Sequence, residues 1–184
     1  MATENQRNLI SRNEQYASQF TAGSLPLPPA KNYLLGTILR PSSSLQRLTG
    51  QVTCMDARID AAAAFGINLG DAHIIRNAGG NAKDALRSIL ISQHLLDTRE
   101  ILLIKHTGCG MLTFSNADAL ELVAKNSGAG VLSSTFDFQP FSSLEQAVKD
   151  DVEWLKGHGA VMHDGVEISG WVYEVDTGKT KHIV

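Results

Sequence analysis

The chain has 184 residues, of which 43% are hydrophobic and 19% are charged. This length suits a single domain with its own core, and the composition excludes a disordered chain or a coiled coil. The formal net charge is -3 and no cluster of Lys and Arg stands out along the chain, which argues against nucleic acid as a partner.

The amino-terminal stretch predicts the compartment. Residues 1–20 contain no apolar segment of the signal-peptide kind, and Glu4 and Glu14 argue against an acid-poor transit peptide. No later stretch reaches the length of a membrane span. We therefore predict a cytoplasmic protein, in which two cysteines serve more often as metal ligands or catalytic groups than as a disulfide.

The first predicted element is an amphipathic helix. A sparse apolar stripe from residue 3 to residue 20 suits a helix that is weak alone and docks on another surface. PLPPAK, residues 26–31, reads as a stiff extended connector because proline fixes φ. We assign residues 1–31 to a helix and proline arm, and residues 32–184 to a single catalytic domain.

Strands and helices alternate in the remainder of the chain. Residues 41–50, PSSSLQRLTG, are polar and rich in turn formers, and we expect an exposed loop there. The alternation that follows predicts an α/β fold, with a mainly parallel β-sheet flanked by helices, an N-terminal helical arm and a C-terminal hairpin. The predicted strands are 51–55, 72–76 and 101–105, the helices 60–65, 81–96, 115–125 and 144–156, and the hairpin 166–184. Asp60 and Asn81 are expected to cap the helices that follow them, and Ser115 with Asp118 to form a capping box.

Three motifs follow the three predicted strands. They are CMDAR at 54–58, RNAGG at 76–80 and HTGCG at 106–110. In α/β sheets ligands bind beyond the carboxyl ends of the strands, so the motifs are expected to meet in one site. RNAGG has two possible roles. Its glycines could only permit positive φ, or its backbone amides could face an anion in the pocket.

CMDAR combines a thiol, a carboxylate and a guanidinium at alternate positions. In an extended strand Cys54, Asp56 and Arg58 would point to one face. A carboxylate and a guanidinium at this spacing can form a bidentate pair. Arg58 could instead form an ordinary surface salt bridge.

HTGCG adds an imidazole and a second thiol. His106 and Cys109 have the spacing H-x-x-C, and with Cys54 they offer two thiolates and an imidazole, a donor set that suits zinc. The fourth zinc position would belong to Asp56 in a closed site or to water in an open one. The cysteines could instead form a disulfide or be two small buried apolar side chains.

An open site would be catalytic. If Arg58 holds Asp56 away from the metal, zinc keeps a water, which loses its proton near neutral pH and becomes a nucleophile. Two thiolates neutralise the charge of the ion, so we expect the activity to rise on the alkaline side. Asp56 could accept the hydrogen bond of the hydroxide and orient its lone pair.

The ordered set C-x-D-x-R, R-N-A-G and H-x-x-C resembles the β-class carbonic anhydrases, specifically their short microbial and fungal branch. The resemblance runs from about residue 16 to the carboxyl terminus. It implies Cys54, His106 and Cys109 as zinc ligands and Asp56 with Arg58 as the catalytic pair. It also implies a homodimer or higher homo-oligomer in which the N-terminal helix wraps the neighbouring subunit.

The resemblance leaves the substrate open. The family reaction is hydration of carbon dioxide to bicarbonate by a zinc-bound hydroxide, but this branch also contains hydrolases of carbonyl sulfide and carbon disulfide. Carbonyl sulfide hydrolysis is therefore the alternative function, since pocket width and product escape separate these linear electrophiles. A non-catalytic binding protein stabilised by zinc is a third possibility.

Overall fold

The computed structural model describes residues 3–25 and 48–184. The predicted proline arm at 26–31 and most of the predicted loop at 41–50 lie outside the described residues. The division of the chain at residues 31 and 32 therefore stays a prediction.

The N-terminal helix α1, Glu4–Ser18, begins at a capping box. The side chain of Thr3 accepts a hydrogen bond from the Gln6 amide, and the Gln6 side chain accepts one from the Thr3 amide, which satisfies two otherwise unpaired donors. No residue of α1 is buried, and its apolar side chains include Leu9 at 68% exposure. The predicted helix is confirmed, and its apolar stripe faces away from the described residues.

Five strands form one sheet in the order β2-β1-β3-β4-β5. Strands β1 to β4 run parallel to their neighbours, and β5 returns antiparallel to β4 as the predicted C-terminal hairpin. The predicted fold class is confirmed. The strand bounds are Leu48–Cys54 for β1, Ala72–Asn77 for β2, Thr98–His106 for β3, Glu167–Tyr173 for β4 and Thr180–His182 for β5.

The predicted loop at 41–50 is wrong at its carboxyl end, because β1 begins at Leu48. Gly50 suggested a turn, but it marks a close approach within the sheet. A Cβ on Gly50 would lie 3.4 Å from the side chain of Thr98 and 3.6 Å from that of Ser92. Gly50 therefore lies inside the sheet, in contact with the first residue of β3 and with the helix that precedes β3.

Four further helices follow the sequence pattern, and three of them begin at a side-chain cap that the sequence predicted. The side chain of Asp60 accepts a hydrogen bond from Ala63 N, and that of Asn81 accepts from the first turn of its helix. Ser115 and Asp118 form the predicted capping box. The helix bounds are Ala61–Ala64 for α2, Ala82–Leu96 for α3, Asn116–Ser127 for α4 and Leu144–Gly157 for α5.

The main core lies between the sheet and helices α3 and α5. Val52, Leu103 and Val148 are fully buried there. A second apolar cluster lies around α2 and includes both cysteines. Within residues 3–25 and 48–184, no helix combines the length and apolarity that crossing a membrane requires.

Candidate metal centre

The sheet brings the three candidate metal ligands together. Cys54 is the last residue of β1 and His106 the last of β3, and the parallel register between these neighbouring strands places both ends at one edge. Cys109 follows in the next turn. One ligand atom from each residue lies within 4.8 Å of the others, and all three residues are at least 95% buried.

The two cysteines are free thiols. Their sulfur atoms are 4.0 Å apart, whereas a disulfide bond measures about 2 Å. A disulfide therefore does not describe this structure. A role as two small apolar side chains accounts for the burial of the sulfurs but not for the imidazole beside them.

His106 supplies a test of whether a metal fits. Its Nδ1 lies 2.9 Å from the Thr107 carbonyl oxygen, so Nδ1 carries the proton that is donated there. The lone pair is then on Nε2, which is buried and finds no hydrogen-bond partner among the described residues. An unsatisfied buried nitrogen costs about 1–3 kcal/mol, and a metal at the cluster would satisfy it. The donor set therefore fits a thiolate- and imidazole-binding ion such as zinc.

The two thiols are hydrogen-bonded to each other, with 4.0 Å between their sulfur atoms. The hydrogen bond from Cys109 lowers the pKa of Cys54, against the effect of burial, and His106 and the backbone amides of Asp56 and Gly79 lower it further. The same hydrogen bond, together with burial, raises the pKa of Cys109. A metal would bind the thiolate form of both side chains and release their protons.

Asp56 and Arg58 form a bidentate ion pair beside this cluster. Arg58 Nε donates to Asp56 Oδ1 at 2.9 Å, and Nη2 donates to Oδ2 at 2.7 Å. Nη2 also donates to the Gly108 carbonyl at 3.0 Å, which ties the pair to the turn that carries Cys109. The hydrogen bonds from Arg58 hold the pKa of Asp56 well below its usual range, so the carboxylate is ionised.

The local backbone differs from the strand that the sequence predicts. Strand β1 ends at Cys54, and residues 55–58 turn. The Arg58 amide donates to Asp56 Oδ1 at 2.9 Å, which is an Asx-turn. Asp56 and Arg58 therefore meet because the chain turns and not because they alternate along a strand.

Arg76 is a site residue to which sequence reasoning gave no role. Its Nε donates to the Cys54 carbonyl at 3.1 Å and its Nη2 to the Asp56 carbonyl at 2.7 Å, so the guanidinium holds the backbone of CMDAR from the neighbouring strand. One signal could have identified Arg76, namely its position near the end of β2. There it adjoins Asn77, which pairs with Cys54 in the parallel register.

The glycines of RNAGG have the conformational role that the sequence allowed. Gly79 and Gly80 have φ values of 74° and 60°, which glycine adopts readily. A Cβ on Gly80 would lie 3.1 Å from the backbone of Cys54, Thr53 and Ile104. The second role, in which the backbone amides face an anion in the pocket, stays a prediction.

Known proteins are similar to this chain in sequence and in fold. A model of the carbonic anhydrase family matches residues 50–180. Beta-carbonic anhydrase 1 of Mycobacterium tuberculosis is 34% identical over 175 residues, which cover 95% of this chain and 94% of that protein. The carbonic anhydrase structure from Glaciozyma antarctica covers all of both chains at 39% identity with a TM-score of 0.81.

A related branch is also similar. The carbon disulfide hydrolase of Saccharolobus solfataricus is 36% identical over 173 residues, which cover 77% of this chain and 84% of that protein. The fold and the cluster define an α/β enzyme of the lyase type with a site able to bind a metal. The chain belongs to the β-class carbonic anhydrase family, within which the carbon disulfide hydrolases are relatives.

Proposed function

We propose that this protein catalyses the reversible hydration of carbon dioxide to bicarbonate, with Zn²⁺ held by Cys54, His106 and Cys109. The observation that carries the proposal is the buried Nε2 of His106, which lies beside two buried sulfurs and has no hydrogen-bond partner among the described residues. A bound Zn²⁺ would supply a Lewis acid that makes water acidic enough to attack near neutral pH. The carbonic anhydrases among the relatives support this substrate.

Asp56 and Arg58 would orient the attacking water. Arg58 engages both carboxylate oxygens and leaves Asp56 ionised beside the cluster. An ionised carboxylate there can accept a hydrogen bond from the water and turn its lone pair toward the carbon of the substrate. Asp56 would therefore be the orienting group, and Arg58 would be the residue that keeps it from the metal.

Stopped-flow measurement of carbon dioxide hydration, on protein of known zinc content, tests the proposal. Turnover should be fast in zinc-loaded protein, absent after removal of the metal by a chelator, and restored by Zn²⁺. It should rise with pH, because two thiolates reduce the net charge at the metal and make the water less acidic. Full zinc occupancy without carbon dioxide turnover would overturn the proposal and leave two alternatives, a hydrolase of carbon–sulfur electrophiles and a non-catalytic zinc protein.

Hydrolysis of a carbon–sulfur electrophile is the second candidate function. It is favoured by the relatives named carbon disulfide hydrolases, which share 30–36% identity with this chain. Carbonyl sulfide and carbon disulfide would be attacked in the same geometry and would release hydrogen sulfide. Rates for all three gases on one zinc-loaded preparation separate the candidates, since selection among them depends on the pocket and not on the ligands.

We infer that the working form is a homodimer or a larger homo-oligomer. Helix α1 buries none of its residues, and Leu9, Ile10 and Tyr16 are each more than half exposed. Such a stripe is suited to covering apolar surface on a second copy. Light scattering on the purified chain should give a mass of at least two subunits, and a monomer would contradict the inference.

A further inference from the structure

Lys105 is buried next to the candidate metal ligand His106. Lys105 is 1% exposed, which is rare for lysine unless it is paired. Its Nζ lies 2.8 Å from Asp151 Oδ2 and donates to the carbonyl oxygens of Gly79 at 3.1 Å and Gly80 at 3.4 Å. The three protons of the ammonium therefore have three acceptors.

Asp151 connects this lysine to the helix layer. It lies on α5, and its Oδ2 also accepts a hydrogen bond from the Ala82 amide at 3.2 Å, at the first residue of α3. The ion pair thus joins β3, α5, the start of α3 and the Gly79–Gly80 turn. Burying two charges seldom adds net stability over apolar packing, so the location of this pair calls for a geometric explanation.

The Gly79–Gly80 turn lies between Lys105 and Cys54. On one side its two carbonyls accept hydrogen bonds from Nζ. On the other side Gly80 packs against β1 so closely that an added Cβ would lie 3.1 Å from the backbone nitrogen of Cys54. Residues 79 and 80 are glycines with positive φ, and glycine is the most conformationally permissive residue, so the contacts with Nζ restrict a turn on which the Cys54 backbone packs.

We propose that Lys105 is a positioning residue for the metal centre. Its ammonium, held by Asp151, fixes the Gly79–Gly80 turn, and the turn holds the backbone that carries the sulfur of Cys54. This inference rests on the proposed function in one respect, namely that Cys54 is a metal ligand. Lys105 itself does not touch substrate or metal, and its effect is exerted through the backbone of the turn.

Cobalt substitution tests the proposal without relying on catalysis. The main variant is Lys105→Met with Asp151→Asn, which removes the ammonium while the asparagine oxygen can still accept from Ala82 N. The absorption band for charge transfer from thiolate to Co²⁺ should change in position and lose intensity, because the backbone that carries the Cys54 sulfur is no longer held in one place. The dissociation constant for Co²⁺, measured by chelator competition, should rise about tenfold, as for other groups that orient a metal ligand.

The matched control is a second ion pair on the same helix. Lys181 and Glu145 join β5 to α5 at 2.6 Å without contacting the turn, so Lys181→Met with Glu145→Gln should leave band and affinity unchanged. Asp151→Asn alone keeps the ammonium on the carbonyls and should retain the wild-type band. If the main variant does not fold, Lys105→Gln with Asp151→Asn replaces it. The glutamine side chain is shorter than lysine and does not reach the two carbonyls, so the same changes in band and affinity are expected.

A folded double variant with the wild-type band and affinity would overturn the positioning role. Cys54→Ser must weaken the band in the otherwise native chain, and an unchanged band there would refute the ligand assignment and the proposal together. A wild-type chain that shows the band but does not hydrate carbon dioxide would refute the proposed function alone. The test of Lys105 would still be readable in that protein.

Discussion

The carboxylate of Asp56 lies beside the imidazole of His106 without bonding to it, with 3.7 Å between Oδ2 and Nε2. Both carboxylate oxygens are instead engaged by Arg58. With a metal bound at the cluster, the guanidinium of Arg58 and the metal would compete for Asp56.

Replacing Arg58 with alanine should abolish turnover without removing the metal. Asp56 would be free to occupy the fourth metal position, and carbon dioxide hydration should fall by at least about a hundredfold, the scale of a positioned proton-transfer group. Zinc content should stay at the wild-type value. Arg99→Ala is the matched control, because Asp97 and Arg99 form another Asp-x-Arg pair at the opposite end of β3. Unchanged turnover in Arg58→Ala would exclude Arg58 from the mechanism.

Replacing Cys109 with serine should remove the metal. A hydroxyl is a poor substitute for a thiolate ligand, so zinc affinity should drop by more than the roughly tenfold that loss of an orienting group causes. Zinc content after dialysis, measured by atomic absorption, checks this. His182→Gln, which changes an exposed histidine on β5, should retain the metal. Full zinc content and full activity in Cys109→Ser would refute the proposed ligand set.

Replacing Gly80 with alanine should destabilise the fold. The alanine would have to adopt the positive φ of this position. Its Cβ would also lie 3.1 Å from three backbone atoms, none of which can rotate away. We expect a loss of at least about 2 kcal/mol in the free energy of unfolding, measured with urea. Gly157→Ala is the control, because a Cβ there meets nothing within 4 Å and should change stability by less than about 1 kcal/mol. Equal effects of the two substitutions would contradict the structure of the turn.

The capping box of α4 should give a pH-dependent contribution to stability. The backbone amide and the hydroxyl of Ser115 donate to Asp118 and lower the pKa of that carboxylate. A lowered pKa in the folded state contributes stability above the unfolded pKa, near 4, and this contribution is lost as pH falls through the folded value. Asp118→Asn should therefore melt below wild type at neutral pH, and the difference should shrink in acid. A difference that is constant with pH would exclude this origin.

The sequence predicted the features that depend on local chemistry. Asn81 and Ser115 were identified as caps because a side chain that pairs with the next amides needs only its own neighbours. The cluster of Cys54, His106 and Cys109 was predictable because parallel strands bring their carboxyl ends to one edge of the sheet.

What the sequence did not reveal depends on contacts between distant segments. Gly50 resembled a turn residue because its close neighbours, Thr98 and Ser92, lie far along the chain. Arg76 and Lys105 received no role because the carbonyls that they hold become visible only once the turns are placed. Asp56 and Arg58 were assigned to one face of a strand. Alternation along a strand and an Asx-turn can both bring these two side chains together, and the sequence does not distinguish them.

The positions of the two sulfurs also bear on the order in which the chain acquires its structure. Cys54 and Cys109 are separated by 55 residues, and they meet only when β1 and β3 have paired in register with an intervening strand and two helices already crossed over. A metal that needs both sulfurs cannot bind tightly before β1 and β3 have paired. Closing this long loop costs conformational entropy, and that cost precedes any gain from metal binding. When the chain refolds with Co²⁺, the absorption band for charge transfer from thiolate to metal should therefore appear late. The bound ion would hold β1 and β3 together and slow their separation.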